Sequence, residues 1–350
     1  MADVDGLDPS LRSYLERELG EPERVAVEGL GGGYSNETLV VAWDDRDLVI
    51  RRPPGDDTAE SAHDVLREYR VMDALQETSV PVPETVLKCE DTDVVGSEFY
   101  VMERIAGDVI RTEEPERFAT PRRRQQLGEA FVDTLAAIHD VDYGAVGLED
   151  FGRPRGYLDR QIGRWWNQIE WARERTASVR RVEDLEAVAD WLENNVPAQA
   201  PPAIVHGDYK LDNVLFAPGD RPAVAGVLDW EMSTVGDPLT DLAWVCLYWH
   251  EAGDPDPPIP SVMPSFTARE GYPDRRTLVE RYEAATGTTF ENPRFYQVLA
   301  HFKMAAIGEM FFRRYREGAD VEMYARMERA VPVLAERALA IVEGEGVCEY

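Results

Sequence analysis

The stretch Ile204 to Phe216, IVHGDYKLDNVLF, followed by GVLDWE from Gly226 to Glu231, constrains this chain more than any other feature. It reads as strand, loop, strand, turn and acid. Asp208 stands five residues before Asn213, so a short loop can aim one carboxylate at an acceptor hydroxyl while the amide oxygen behind it ligates a metal. Asp229 supplies a second hard oxygen from the turn after a strand, and such ligands suit Mg²⁺. The pattern therefore points to magnesium-assisted phosphoryl transfer. Asp, Asn and Gly are also ordinary turn residues, and a lone DxxxxN would mean no more than a turn. The flanking apolar pairs Ile204–Val205 and Val214–Leu215, and the acid that ends Val224 to Asp229, separate this motif from one. Lys210 is placed to reach the transferring phosphoryl group, and His206 braces the loop by hydrogen bonding rather than moving a proton.

With 350 residues the chain suits one large or one two-lobed domain. Its formal net charge is −30, yet only three of the 37 basic residues are Lys, at positions 88, 210 and 303. Acid excess with so little Lys reads as adaptation to a high-salt cytoplasm, where a Debye length of about 3 Å screens the repulsion among carboxylates. The same charge disfavours nucleic acid as a partner, because neutralising phosphates needs clustered Lys and Arg. The acidic start MADVDGLDPS lacks the regions of a signal peptide, and the strongest apolar run, Leu242 to Trp249, is too short to span a membrane. A cytoplasmic protein with no membrane partner is expected. Cys89, Cys246 and Cys348 show no CxxC spacing, which argues against a disulfide framework or a thiolate metal site.

Residues 8 to 19 predict an amphipathic helix opened by Asp8 and Pro9 and closed by Gly20. Apolar alternation predicts strands over 25–30, 38–43 and 48–50, then over 85–88 and 98–103. Between these groups, Val65, Tyr69, Met72 and Leu75 recur at helical spacing within 58–77. Beyond Arg104 the period is mainly helical: Leu127, Phe131, Leu135 and Ile138 share one face, and Leu158, Ile162, Trp165 and Ile169 another. Helices follow near 239–249, 275–285, 294–316 and 321–342, and a motif hairpin over 204–229 interrupts the series. The Pro-, Gly- and Asp-rich stretch 254–273 reads as a surface loop.

The HGDxxxxN and (I/L)DWE patterns, met at His206 to Asn213 and Leu228 to Glu231, resemble residue for residue those of the aminoglycoside phosphotransferase and choline kinase branch of the protein-kinase-like fold. The resemblance implies an α+β, two-lobed fold: an N-terminal lobe over 1–104, built on an antiparallel sheet with a helix, and a larger, mainly helical C-terminal lobe over 105–350. It implies ATP and Mg²⁺ as cofactors, with Asp208 as catalytic carboxylate, Lys210 and Asn213 beside it, and Asn213 with Asp229 on the metal. Phosphate binding is expected at GGGYSNET, where Gly31, Gly32 and Gly33 let backbone N–H groups approach phosphate and Ser35 adds a hydroxyl. Asn36 stands where a kinase-type loop has its third glycine, and a tight hairpin turn is the other reading of this segment. Arg51 occupies the place of the usual phosphate-holding Lys, with Glu68 its natural partner, while Arg52 falls on the opposite face of the strand. Adenine is expected against Met102, Glu103 and Ile105 at the lobe junction. In GDPLTDLAW the second acid, Asp241, anchors the catalytic loop, and Asp237 could equally be a helix N-cap.

LVIRRPPG, GYLDRQIGRWWNQ (156–168) and HFKMAAIGEMFFRRY (301–315) further resemble the phosphotransferase-type domain associated with acyl-CoA dehydrogenases, which implies a hydroxylated acyl-CoA as acceptor. Lys303, with Arg164, Arg313 or Arg314, becomes a candidate cation for it. An aminoglycoside, choline or another small alcohol is the alternative acceptor, and a kinase-like binding scaffold without turnover is the alternative to an enzyme. Trp165, Trp166 and Trp171 could cage a cation such as choline, although aromatic residues at helical spacing ordinarily form core.

Overall fold

The computed structural model of the protein describes residues 7–30, 36–53 and 64–346. Its contacts divide the chain into two compact units, one of Met1–Gly107 with Ala225–Ser233 and the other of Asp108–Val224 with Thr234–Tyr350.

The first unit opens with helix α1 (Pro9–Leu19), whose N-terminal amides at Ser10 and Leu11 donate to the Asp8 carboxylate. Strands β1 (Val25–Leu30), β2 (Glu37–Trp43) and β3 (Arg46–Arg52) follow, then helix α2 (Val65–Leu75) and strands β4 (Thr85–Cys89) and β5 (Phe99–Glu103). They form one antiparallel sheet in the order β1-β2-β3-β5-β4. Side chains alternate across a strand, and the two faces have different work. Val41, Trp43, Leu48, Ile50, Phe99 and Val101 pack with Leu11 and Leu15 of α1 in one apolar cluster. Arg51 and Tyr100, opposite each other in the β3–β5 register, take the alternate face. There they meet Glu68 of α2.

The second unit begins with β6 (Asp108–Val109) and the helices α3 (Pro121–His139), α4 (Tyr157–Thr176) and α5 (Asp184–Asn194). The motif region contributes β7 (Ala203–Val205) and β8 (Val214–Phe216), then β9 (Val224–Val227), which leads into the first unit, and β10 (Thr234–Gly236). Helices α6 (Leu239–Tyr248), α7 (Arg275–Thr286), α8 (Pro293–Arg316) and α9 (Glu322–Glu343) complete it. The expected faces of α3 and α4 are buried. α8 is buried on most sides and packs against α4, α6 and α9.

Two expectations are corrected here. The segment 204–229 is not one hairpin throughout: β7 pairs antiparallel with β10, Ile204 opposite Val235, while β8 pairs with β6 and, within the segment, with β9. Gly236 permits the first pairing: a Cβ there would lie 2.6 Å from the Tyr157 ring. Helix α5 is not among the expected helices, although its Leu185, Val188, Ala189 and Leu192 are all buried at helical spacing. The loop over 254–273 is as expected apart from a single 3-10 turn, Phe266–Ala268. Cys89 and Cys246 are buried, and neither is in a disulfide. No helix among the described residues is long and apolar enough to cross a membrane.

Candidate active site

In the first unit β3 delivers Arg51. Its Nη1 lies 2.8 Å from Glu68 Oε1 and its Nη2 3.6 Å from Asp229 Oδ1, while the Tyr100 hydroxyl donates to Glu68 Oε2 at 2.9 Å. Glu68 is 1 % exposed, and a carboxylate so placed needs the cation and the hydroxyl it has. Burial opposes the charge on Arg51, but the carboxylate of Glu68 outweighs it and raises the guanidinium's pKa, with Tyr100, Asp229 and Glu231 adding to the effect. Arg52 points away from this cluster to Glu37, at 2.8 Å.

Asp229 has φ +65°, a left-handed conformation unusual outside glycine, and it opens the short turn Trp230–Met232. Trp230 fixes that turn by donating its indole N–H to the Val227 carbonyl at 3.0 Å. Among the described residues, Asp229 Oδ1 and Arg51 Nε are buried without a hydrogen-bond partner. A buried carboxylate oxygen without a hydrogen bond, beside a guanidinium, fits a hard cation carrying phosphate. No three His, Cys, Asp or Glu side chains converge as a metal centre among the described residues; Mg²⁺ needs only one or two carboxylates alongside water and phosphate. Gly31, Gly32, Gly33 and Ser35 lie outside the described residues. Met102 is 7 % exposed. The Glu103 N–H already donates to the Glu84 carbonyl at 2.8 Å, and its side chain pairs with Arg46 at 3.1 Å, so Glu103 has no free amide for a base edge. Ile105 lies against Gly226.

In the second unit the catalytic-loop candidates come together. Asn213 Nδ2 donates to the backbone oxygen of Asp208 at 2.9 Å and to its Oδ2 at 3.0 Å, which leaves the amide oxygen as the atom with which Asn213 could meet a metal. Lys210 Nζ lies 3.4 Å from Asp208 Oδ2 and 3.4 Å from Asp212 Oδ2, above the Tyr248 ring. Burial acts against the Lys210 ammonium, yet Asp208, Tyr248 and Asp212 overcome it and hold its pKa well above the ordinary value. It is therefore a permanent cation at physiological pH.

The loop is anchored from beneath. Asp241, 1 % exposed, accepts the His206 N–H at 2.7 Å and the Gly207 N–H at 2.9 Å, with His139 Nε2 3.3 Å away. The structural role expected of Asp241 is what these bonds describe. His206 is buried, and its Nδ1 accepts the Asp208 N–H at 3.2 Å. Tyr209 ties the loop to α3 through its hydroxyl, 2.7 Å from the Phe131 carbonyl. Asp237 is not the N-cap of α6, which is Pro238; it accepts the Leu239 N–H at 3.1 Å and the Tyr296 hydroxyl at 2.8 Å.

Trp244, Tyr100 and Tyr248 belong to these clusters and are not among the expected site residues. Trp244 donates its indole N–H to Asp208 Oδ1 at 2.9 Å. A signal for it exists: three residues after Asp241 on one helix, it shares the face turned to the loop. The cations expected for an acceptor are engaged elsewhere. Arg313 stacks on Trp171 at 3.7 Å and donates to the Trp171 carbonyl. Lys303 donates to the Gly207 carbonyl and lies over Trp244. Nor do the three tryptophans form a cage: Trp165 is core, Trp166 stacks on Phe302, and Trp171 is exposed with Arg313 stacked on one face.

The sequence profile of the phosphotransferase enzyme family matches residues 26–296, most of the chain and both the HGDxxxxN and DWE motifs. The chain belongs to that family. It is 34% identical over 342 residues to acyl-CoA dehydrogenase family member 11 of Gallus gallus, covering 95% of this chain and 43% of that protein. The chain thus spans less than half the length of this relative. A crystal structure of a protein from Ralstonia eutropha JMP134, provisionally described as an aminoglycoside phosphotransferase, superposes with TM-score 0.81 at 31% identity over 96% of this chain and 98% of its own. Choline kinase from Cryptosporidium parvum Iowa II superposes with TM-score 0.64 at 12% identity, over 95% and 96% of the two chains. The fold is therefore the expected two-lobed, protein-kinase-like α+β fold.

Proposed function

We propose that this phosphotransferase is an ATP- and Mg²⁺-dependent small-molecule kinase of the cytoplasm and that its acceptor is a hydroxylated acyl-CoA. The observation that supports turnover best is the fixing of Asp208: Trp244 holds one carboxylate oxygen and Asn213 the other. A binding scaffold has no need of an aimed carboxylate. Asp208 orients the acceptor hydroxyl and finally takes its proton, and in a loose transition state alignment and neutralisation of charge matter more than basicity. Lys210 stabilises the charge on the transferring group. Residues 1–104 form the nucleotide lobe, where the glycine-rich segment and Arg51, oriented by Glu68, grip phosphates. Residues 105–350 supply the catalytic loop and the acceptor site. Asp229 and Asn213 are the metal ligands, and Mg²⁺ when bound neutralises phosphate charge.

A cavity of about 410 Å³ beside Tyr248, lined by Met263, Ala300 and Ile341 among others, favours this acceptor over a polycationic one. Of its two carboxylates, Asp254 is bound to Arg275 and Glu345 stands in a lining that also holds Arg337, and burial lowers its His301 to about 4, so that imidazole is neutral. An aminoglycoside needs free acids; an acyl chain does not. The test is ADP release with 3- and 4-hydroxyacyl-CoA, choline and kanamycin as acceptors. Turnover with the hydroxyacyl-CoAs is expected. Ready phosphorylation of kanamycin or choline with the acyl-CoAs ignored would leave only the general kinase reading standing.

A further inference from the structure

The geometry around Lys303 gives that residue a task other than binding the acceptor. The Gly207–Asp208 peptide is planar, and both of its polar atoms are held: Lys303 Nζ donates to the Gly207 carbonyl, and the Asp208 N–H donates to His206 Nδ1 at 3.2 Å. Gly207 has φ +83°, which leaves the loop in a conformation that only such bonds and a glycine sustain. The same ammonium lies 3.8 Å from the centre of the Trp244 ring and 5.7 Å from that of Trp165. Trp244 is in turn the partner of Asp208 Oδ1. One cation on α8 therefore touches the peptide that carries the carboxylate and one of the two side chains that hold its oxygens.

We propose that Lys303 is a positioning residue for phosphoryl transfer, locking the Gly207–Asp208 peptide and the Trp244 ring so that the Asp208 carboxylate is aimed. The inference rests on the kinase reading of Asp208. Burial pulls the Lys303 ammonium down to about 8, against the attraction of Asp208 and Asp241, with Arg164 on α4 and Lys210 on the loop adding to the fall. His139 and His206 are the other titratable groups at Asp241. Loss of the proton as pH rises through that range removes the cation–π attraction and weakens the grip on the peptide.

Lys303→Met keeps the length and removes the charge, and Lys303→Arg restores charge with a different shape. Turnover is read both with the acceptor found in the screen and as slow ATP hydrolysis with water as acceptor. Lys303→Met is expected to lower kcat by about 10-fold or more while both KM values stay within about 2-fold. Lys303→Arg should regain part of the loss, and the alkaline limb of the wild-type kcat profile near pH 8 should vanish in Lys303→Met. A second readout needs no activity: the indole N–H resonance of Trp244, assigned with Trp244→Phe, should titrate near pH 8 in the wild type and shift without titrating in Lys303→Met. Wild-type kcat in Lys303→Met, a raised acceptor KM with kcat unchanged, or a Trp244 resonance that neither moves nor titrates overturns the proposal. A wild type that turns over neither acceptor nor water fails the kinase reading instead, and the resonance then decides separately whether Lys303 holds Trp244.

Discussion

At the scale of single residues the proposed reaction gives Asp208 and Asp229 separate tasks, so substitutions at these two should separate cleanly. In the proposed reaction Asp208 serves the acceptor, so Asp208→Ala is expected to lower turnover by orders of magnitude while nucleotide affinity by calorimetry stays near wild type. Asp229→Ala should instead weaken the metal-dependent part of that affinity. Arg51 has a double role, because it is also the cation that keeps Glu68 tolerable in a buried position. Removing one partner of a buried pair costs about 3–5 kcal/mol. Arg51→Ala should therefore raise KM for ATP and also lower the melting temperature, with Arg51→Lys recovering part of both. Wild-type KM and melting in Arg51→Ala would place the phosphate grip elsewhere.

At the scale of elements, the catalytic loop is held by partners distant in sequence, and this is where reading the sequence reaches its limit. The partnership of Asp208 with Asn213 is legible because it is local, and that of Arg51 with Glu68 because strand alternation and a helical period bring both to one face. Tyr100 is hidden until the β3–β5 register is known, and the pairing of β7 with β10 rather than β8 is a choice periodicity does not make. Lys303 meets Gly207 only because α8 packs against α6. Asp241 shows what such an anchor contributes. Each of its oxygens accepts one loop amide, and Asp241→Asn turns one oxygen into a donor that faces an N–H. An unsatisfied buried amide costs about 2 kcal/mol, or about 4–8 °C in Tm for a domain of this size. The pH dependence has a definite sign. His139, through its hydrogen bond and charge, together with His206 and Lys303, outweighs burial and depresses the Asp241 pKa. Its contribution is therefore present above the unfolded value of about 4 and is lost as pH falls through the folded one. Thermal melts of wild type and Asp241→Asn should converge in acid and differ at neutral pH; equal melting at pH 7 would mean that the loop has another anchor.

The whole molecule carries 67 acidic residues against 37 basic ones, an imbalance that neither the fold nor the site requires. Two of its three lysines are within or against the catalytic loop, and the third, Lys88, pairs with Glu90 at the surface. The near-absence of surface Lys is thus a property of the exterior, and the surviving pair marks the interior where an ammonium is used. Surface pairs such as Arg281 with Asp133 each contribute little, about 0–1 kcal/mol, and cannot offset a general excess of one sign. In 10 mM salt the Debye length is about 30 Å, so carboxylates repel one another across most of the molecule; at 1 M it is about 3 Å and only neighbours interact. The buried Arg51–Glu68 pair lies beyond the reach of that screening, so added salt should act on the exterior and leave the site's own bonds intact. Stability is therefore expected to rise steeply from millimolar to molar KCl, and turnover should return with the fold when salt is restored. Circular dichroism melts across a KCl series check this, with a KCl series at pH 4 as control, because protonating the carboxylates should flatten the dependence. A melting temperature that is the same in millimolar and molar salt at neutral pH would show that the acid excess answers to something other than a saline interior.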